Sequence, residues 1–182
     1  MKVTIPQTQK DITLGQYQEY ELLKVNAKTK AEQVDLIVCS FTELDETNIN
    51  SISQKDKEEI YNSVCNSLDY EGEFESTFIL NGIEFGLIPN FKKDNVSGGE
   101  YTDMVKYDAK TETLNRLMAI LYRPISVKDS LGNYEIEPYE NTSKYAETMK
   151  GMSLSNVNGV LGFFLRLQSE LEICIQQSLK QE

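Results

Sequence analysis

One segment of this chain is written twice, and the repeat constrains the fold more than any single residue. Ile5-Pro6-Gln7-Thr8-Gln9-Lys10-Asp11-Ile12-Thr13-Leu14-Gly15-Gln16-Tyr17 is answered by Ile88-Pro89-Asn90-Phe91-Lys92-Lys93-Asp94-Asn95-Val96-Ser97-Gly98-Gly99-Glu100-Tyr101, with one extra residue in the second copy. Both read Ile-Pro, three residues, Lys-Asp, an aliphatic residue, Thr or Ser, and a closing Gly-Gln/Glu-Tyr. Proline lacks a backbone donor and stops a strand. Thr13 and Ser97 offer hydroxyls to the free amides of a helix start. Glycine allows the turn, and tyrosine is expected to dock on the core. Pro6, Gly15 and Tyr17 in one copy, with Pro89, Gly99 and Tyr101 in the other, are therefore expected to build two equivalent helix starts. Internal duplication explains this order; chance likeness between two turn-plus-helix signals is the alternative.

The rest of the chain extends the pattern. Val3-Thr4-Ile5 is β-leaning and predicts a short edge strand before Pro6. Apolar spacing predicts a helix from about Gly15, a second over 29–44 and a third opened by Ser53. Asp56, three residues after Ser53, approximates a capping box. The acidic stretch 69–75 contains Gly72 and reads as a boundary between halves. Asn81-Gly82 between two β-rich runs predicts a type I′ hairpin across 77–88. A strongly apolar helix over 112–122 ends at Arg123-Pro124. Residues 127–136 read as a loop or weak hairpin, and Thr142 or Ser143 as the cap of a short helix ending at Met149. Ser153 or Ser155 caps a last helix over 156–180. The expected fold is α+β and helix-dominated. It comprises two similar strand–loop–helix–helix units, 1–75 and 76–182, and a short β-hairpin, in one compact domain.

Charge and composition narrow the function classes. The chain has 18 basic and 29 acidic residues, a net charge of −11 that argues against a nucleic-acid surface. No apolar run reaches the roughly 20 residues of a membrane helix, and the start has no signal-peptide pattern, so no membrane partner is expected. Cys39, Cys65 and Cys174 lie far apart inside apolar helical patterns and read as small core residues in a reducing cytoplasm.

The chain contains no histidine, which removes the usual metal ligand, the usual general base and every Ser-His or Cys-His nucleophile. Ser97-Gly98-Gly99-Glu100 lacks the lysine and preceding strand of a phosphate loop. Carboxylate pairs such as Glu58/Glu59 and Glu135/Glu137 have no cleft-like aromatic context and read as solvated faces. No catalytic, metal or cofactor residue is nominated, and the expectation is a non-enzyme. Three residues are candidates for a partner interface. Arg123 directly follows an apolar helix; it fits either a bidentate anchor for a carboxylate across a subunit interface or a local cap or ion pair. Phe163 faces away from the main stripe of the last helix, which suits a central core position or a subunit contact. Gln168 lies between Phe164 and Leu171 at heptad-like spacing, where a polar interhelical contact fits.

Ile12 to Tyr17, Asn81 to Pro89 and Met118-Ala119-Ile120-Leu121-Tyr122-Arg123-Pro124-Ile125 together resemble a family of small proteins of tailed bacteriophages, in crAss-like and marine phages. The likeness spans nearly the whole chain. Its second copy departs from the family at Thr102-Asp103-Met104, where a longer acidic stretch is usual, so no site is carried over. The first half also resembles phage tail assembly chaperones, Ile52-Ser53-Gln54-Lys55-Asp56 matching their capped second helix. These resemblances imply a non-enzymatic virion component (tail, connector or packaged cargo) or, alternatively, a non-virion tail assembly chaperone. Implied partners are other phage structural proteins, or further copies of this chain in a homo-oligomer. The implied location is the host cytoplasm during assembly, or the virion.

Overall fold

A computed structural model describes residues 3–69, 71–89, 96–107 and 110–179; the side chains of Glu46 and of residues 167–179 are outside the description. The fold is helix-dominated α+β, with one four-stranded antiparallel sheet among the described residues.

The first part is helical because each turn is capped as its sequence requires. A 3-10 turn, Gln9–Asp11, is capped by Thr8, with Asp11 returning a bond to the cap backbone. Helix α1 (Leu14–Leu23) follows. The Gln16 amide donates to Thr13 Oγ1 at 3.2 Å, and the Thr13 amide donates to Gln16 Oε1 at 2.9 Å. Thr29 and Glu32 repeat that reciprocal box at the start of α2 (Lys30–Phe41). Asp45 caps a single-turn α3 (Glu46–Ile49), which apolar periodicity is too short to reveal. Ser53 caps α4 (Gln54–Leu68) by accepting from the Asp56 amide at 3.1 Å. Val34, Ile37, Val38 and Phe41 of α2 pack with Ile60 and Val64 of α4, joined by Ile12, Leu44, Ile49 and Leu154. Cys39 and Cys65 are partly buried against this cluster. Burying such side chains contributes about 1.5–3 kcal/mol each before ordering entropy is counted.

Val3 to Ile5 does not form the expected strand. Val3 and Ile5 pack against this helical core, and the Pro6 carbonyl accepts the Ser67 hydroxyl at 2.9 Å and the Ser63 hydroxyl at 3.4 Å. The segment finds its partners on α4 because the sheet belongs to the other core.

That sheet has the order β1-β2-β3-β4. Strands β1 (Thr77–Leu80) and β2 (Ile83–Leu87) form the expected hairpin. Asn81 and Gly82, at φ of 52° and 78°, supply the left-handed pair of a type I′ turn. The chain then carries α5 (Gly98–Lys106), a 3-10 turn (Thr111–Thr113) and α6 (Leu114–Leu121) before returning to the sheet. The apolar helix ends where proline requires, but Tyr122–Lys128 continues as β3, with Gly86 opposite Arg123 and Phe85 opposite Pro124. Pro124 is tolerated inside the sheet near its end, where its carbonyl accepts from the Glu137 amide at 2.9 Å. Strand β4 (Tyr134–Ile136) completes the second hairpin.

A 3-10 turn (Thr142–Lys144) and α7 (Ala146–Met149) lead to α8 (Leu154–Leu179). Phe85, Leu117, Met118, Tyr122, Met149 and Val157 anchor the second core, joined by Leu14 from α1. The two cores thus exchange one leucine each, Leu14 for Leu154. At the crossing, the Leu14 and Gly15 amides donate to the carbonyls of Met152 and Lys150, and the Leu154 amide donates to that of Ile12, each at 2.8 Å. The acidic stretch between α4 and β1 lies along α8, with Gly72 and Gly159 in backbone-to-backbone contact. A Cβ on Gly159 would fall 2.3 Å from the Glu73 carbonyl carbon.

Candidate functional site

The repeated motif builds two matching helix starts. At α5, the Glu100 amide donates to Ser97 Oγ at 3.2 Å and the Ser97 amide donates to Glu100 Oε2 at 2.6 Å. This is the box that Thr13 and Gln16 form at α1, so the middle position of Gly-Gln/Glu-Tyr is a cap acceptor in both copies. The likeness stops there. Tyr17 packs against the first core, whereas Tyr101 is 63 % exposed and does not dock. Pro6 is buried and Pro89 exposed, and Gly15 touches Lys150 whereas Gly99 faces the Tyr139 ring. Lys92, Lys93 and Asp94 of the second copy lie outside the described residues.

Glu100 has a second role that the first copy lacks. Its other carboxylate oxygen, Oε1, pairs with Nη1 of Arg123, and both side chains are more than nine-tenths buried. Three segments of the chain therefore meet at one point. Gly86 is the ladder partner of Arg123, Glu100 is its counter-ion, and Arg123 itself closes the apolar helix. Burial pushes the Glu100 carboxyl up, but the Ser97 amide and hydroxyl and the Arg123 guanidinium outweigh it and hold the group below the usual glutamate range. The guanidinium lies 5.7 Å from the centre of the Tyr139 ring, and the Tyr139 hydroxyl donates to Asp103 one turn along α5. Burial and then the Asp103 carboxylate push that phenol up. Of the two readings of Arg123, the ion pair with Glu100 matches the local one: the residue is a strut between α5 and β3.

Phe163 is also engaged internally. Its ring stacks on Phe74 at 4.7 Å between centres and meets Phe164 edge-on at 5.4 Å. Gln168 lies on α8, but its side chain falls outside the described residues.

Sequence reasoning missed a polar seam that fixes the 71–76 segment to the start of α8. The Glu73 amide donates to Ser155 Oγ at 3.1 Å and the Glu75 amide to Asn156 Oδ1 at 3.0 Å. The Tyr122 hydroxyl donates to the Glu75 carbonyl at 2.7 Å, and burial pushes this phenol well above its ordinary range. Asn158 donates to Gln9 Oε1 at 2.9 Å, and Gln9 donates to the Leu68 carbonyl at 2.7 Å, tying α8 back to the end of α4. A run of Ser155, Asn156 and Asn158 inside an otherwise apolar helix start was the available signal. Ser155 and Asn156 are buried there and require partners.

Among the described residues, no three His, Cys, Asp or Glu side chains are grouped to hold a metal, and no helix is long and apolar enough to cross a membrane. Comparison with protein-family models, curated proteins and solved structures gives no match to this chain.

Proposed function

We propose that this chain is a non-enzymatic structural or assembly protein of a tailed bacteriophage that works through protein–protein contacts, as a component of the virion. The observation that carries this reading is the use of its buried polar groups. Arg123 and Glu100 neutralise each other, and Tyr122, Ser155, Asn156 and Gln9 hold backbone segments in place. Meanwhile, large apolar side chains, including Leu22, Val25, Ile79, Val105, Leu131 and Leu165, remain on the surface. An interior built for rigidity and a surface with apolar contact points suit a protein that is held by other proteins. The resemblance of the repeated helix start and of the 118–125 segment to small phage proteins supports the same reading. The net charge of −11 favours protein partners with basic surfaces over a DNA-lining position.

Mass spectrometry of purified phage particles tests the proposal. Abundant peptides from this chain in mature particles are the expected result. Their absence from particles, with presence in infected lysate, would instead favour a tail assembly chaperone that leaves before maturation.

A further inference from the structure

We infer that the free edge of β1, with the groove beside it, is a strand-addition site for an extended segment of a partner polypeptide bearing one apolar side chain and a neighbouring Lys or Arg. The hydrogen-bond alternation of the hairpin leads to this. A two-residue turn makes Leu80 and Ile83 a hydrogen-bonded pair, so Phe78–Phe85 is the next such pair. The Leu87 amide on the Ser76 carbonyl at 2.8 Å continues the alternation. Thr77 and Ile79 therefore turn their N–H and C=O groups away from β2, and β1 is the outermost strand of the sheet. Neither residue has another backbone partner among the described residues. Two donors and two acceptors at two-residue spacing match an incoming extended backbone. Thr77–Leu80 contains no lysine, proline or bulge, and among the described residues its shortness is what guards this edge.

The groove sets the chemistry of the occupant. It has a volume of about 390 Å³, with Phe78, Leu80 and Met152 as apolar lining and Glu75, Ser153 and Asn156 as polar lining. Asn156 is 2 % exposed, and its Nδ2 has no partner even though its Oδ1 is engaged by the Glu75 amide. The Glu75 carboxylate is exposed and in no ion pair among the described residues, so it favours a basic residue in the segment. Ile79, 73 % exposed, supplies cross-strand apolar contact. This inference deepens the assembly-protein reading and depends on it only for the existence of a partner.

The test uses the full chain and synthetic heptapeptides selected against it from a random displayed library. Expected are binders with a basic residue and an apolar residue that slow amide exchange at Thr77 and Ile79. Ile79→Pro should weaken them at least about tenfold while the fold persists, because that amide lies outside the β1–β2 ladder. If Ile79→Pro fails to fold, Thr77→Pro removes the other outward amide and carries the same comparison. Peptides that bind the proline variant as tightly as the parent, that leave both amides unprotected, or that cannot be selected at all would overturn the site. Concentration-dependent self-association that protects the same amides would also overturn it, placing a second copy on the edge. None of these outcomes alters the particle mass spectrometry, so the two proposals fail separately.

Discussion

Arg123 and Glu100 meet although 23 positions separate them, and each leaves a buried charge if the other is removed. Breaking such a pair costs about 3–5 kcal/mol. Arg123→Met should therefore destabilise the chain by that order in urea unfolding. Arg123→Met combined with Glu100→Gln should recover most of the loss, since no uncompensated charge remains. A double variant no better than Arg123→Met alone would show that the pair is not coupled. Sequence reasoning singles out Arg123 because a charge directly after an apolar helix is out of pattern. Its partner is not legible: in the sequence Glu100 is only the acidic member of the repeat, and the fold alone brings its second oxygen to β3.

The helix starts are the most legible elements, because capping is local: Thr13, Thr29, Ser53 and Ser97 act within three residues of themselves. The Asn81-Gly82 hairpin is legible for the same reason. Strand β3 is not, because Arg123-Pro124 signals only that a helix stops; residues 122–128 become a strand by pairing with β2, and that pairing is long-range. The 71–76 segment misleads for a related reason. Gly72 resembles a linker residue, but it is glycine so that the chain can lie against the backbone of Gly159. Gly159→Ala would force a methyl group into the Glu73 carbonyl, which has no side-chain freedom with which to yield. Thermal unfolding should show a loss of several kcal/mol, far above the ~1 kcal/mol gain that Gly→Ala brings in an ordinary helix. A neutral result would mean the segment does not rest on α8.

At the scale of the whole molecule, many of the fold's ties run through carboxylates. Backbone amides of Gln7 and Thr8 hold Asp11 below the usual range, and those of Thr29 and Lys28 do the same for Glu32. Asn133 lowers Asp129, and Tyr145 with Lys144 lowers Glu137. Glu100 joins them. A carboxyl whose folded value lies below its unfolded value stabilises the fold above the unfolded value and loses that contribution as pH falls through the folded one. The unfolding midpoint should therefore drop steeply as pH falls below about 4, where ordinary carboxyls begin to protonate. Glu100→Gln should flatten part of that drop. An unfolding midpoint flat between neutral pH and about pH 3 would contradict this account.

Two buried clusters form, one on α2 and α4 and one on the sheet and α6, and the exchange of Leu14 and Leu154 between them is not visible in the sequence, since each leucine fits its own helix pattern. That exchange sets an order of events during synthesis. The ribosome delivers α1, α2 and α4 long before Leu154, so the first cluster waits, incompletely lined, until the sheet and α8 have begun to emerge. Ile12 likewise lacks the backbone amide that its carbonyl accepts until the same residue arrives. The nascent helical cluster is thus an open cup while residues 69–153 are being made, exposed to whatever apolar chain is nearby.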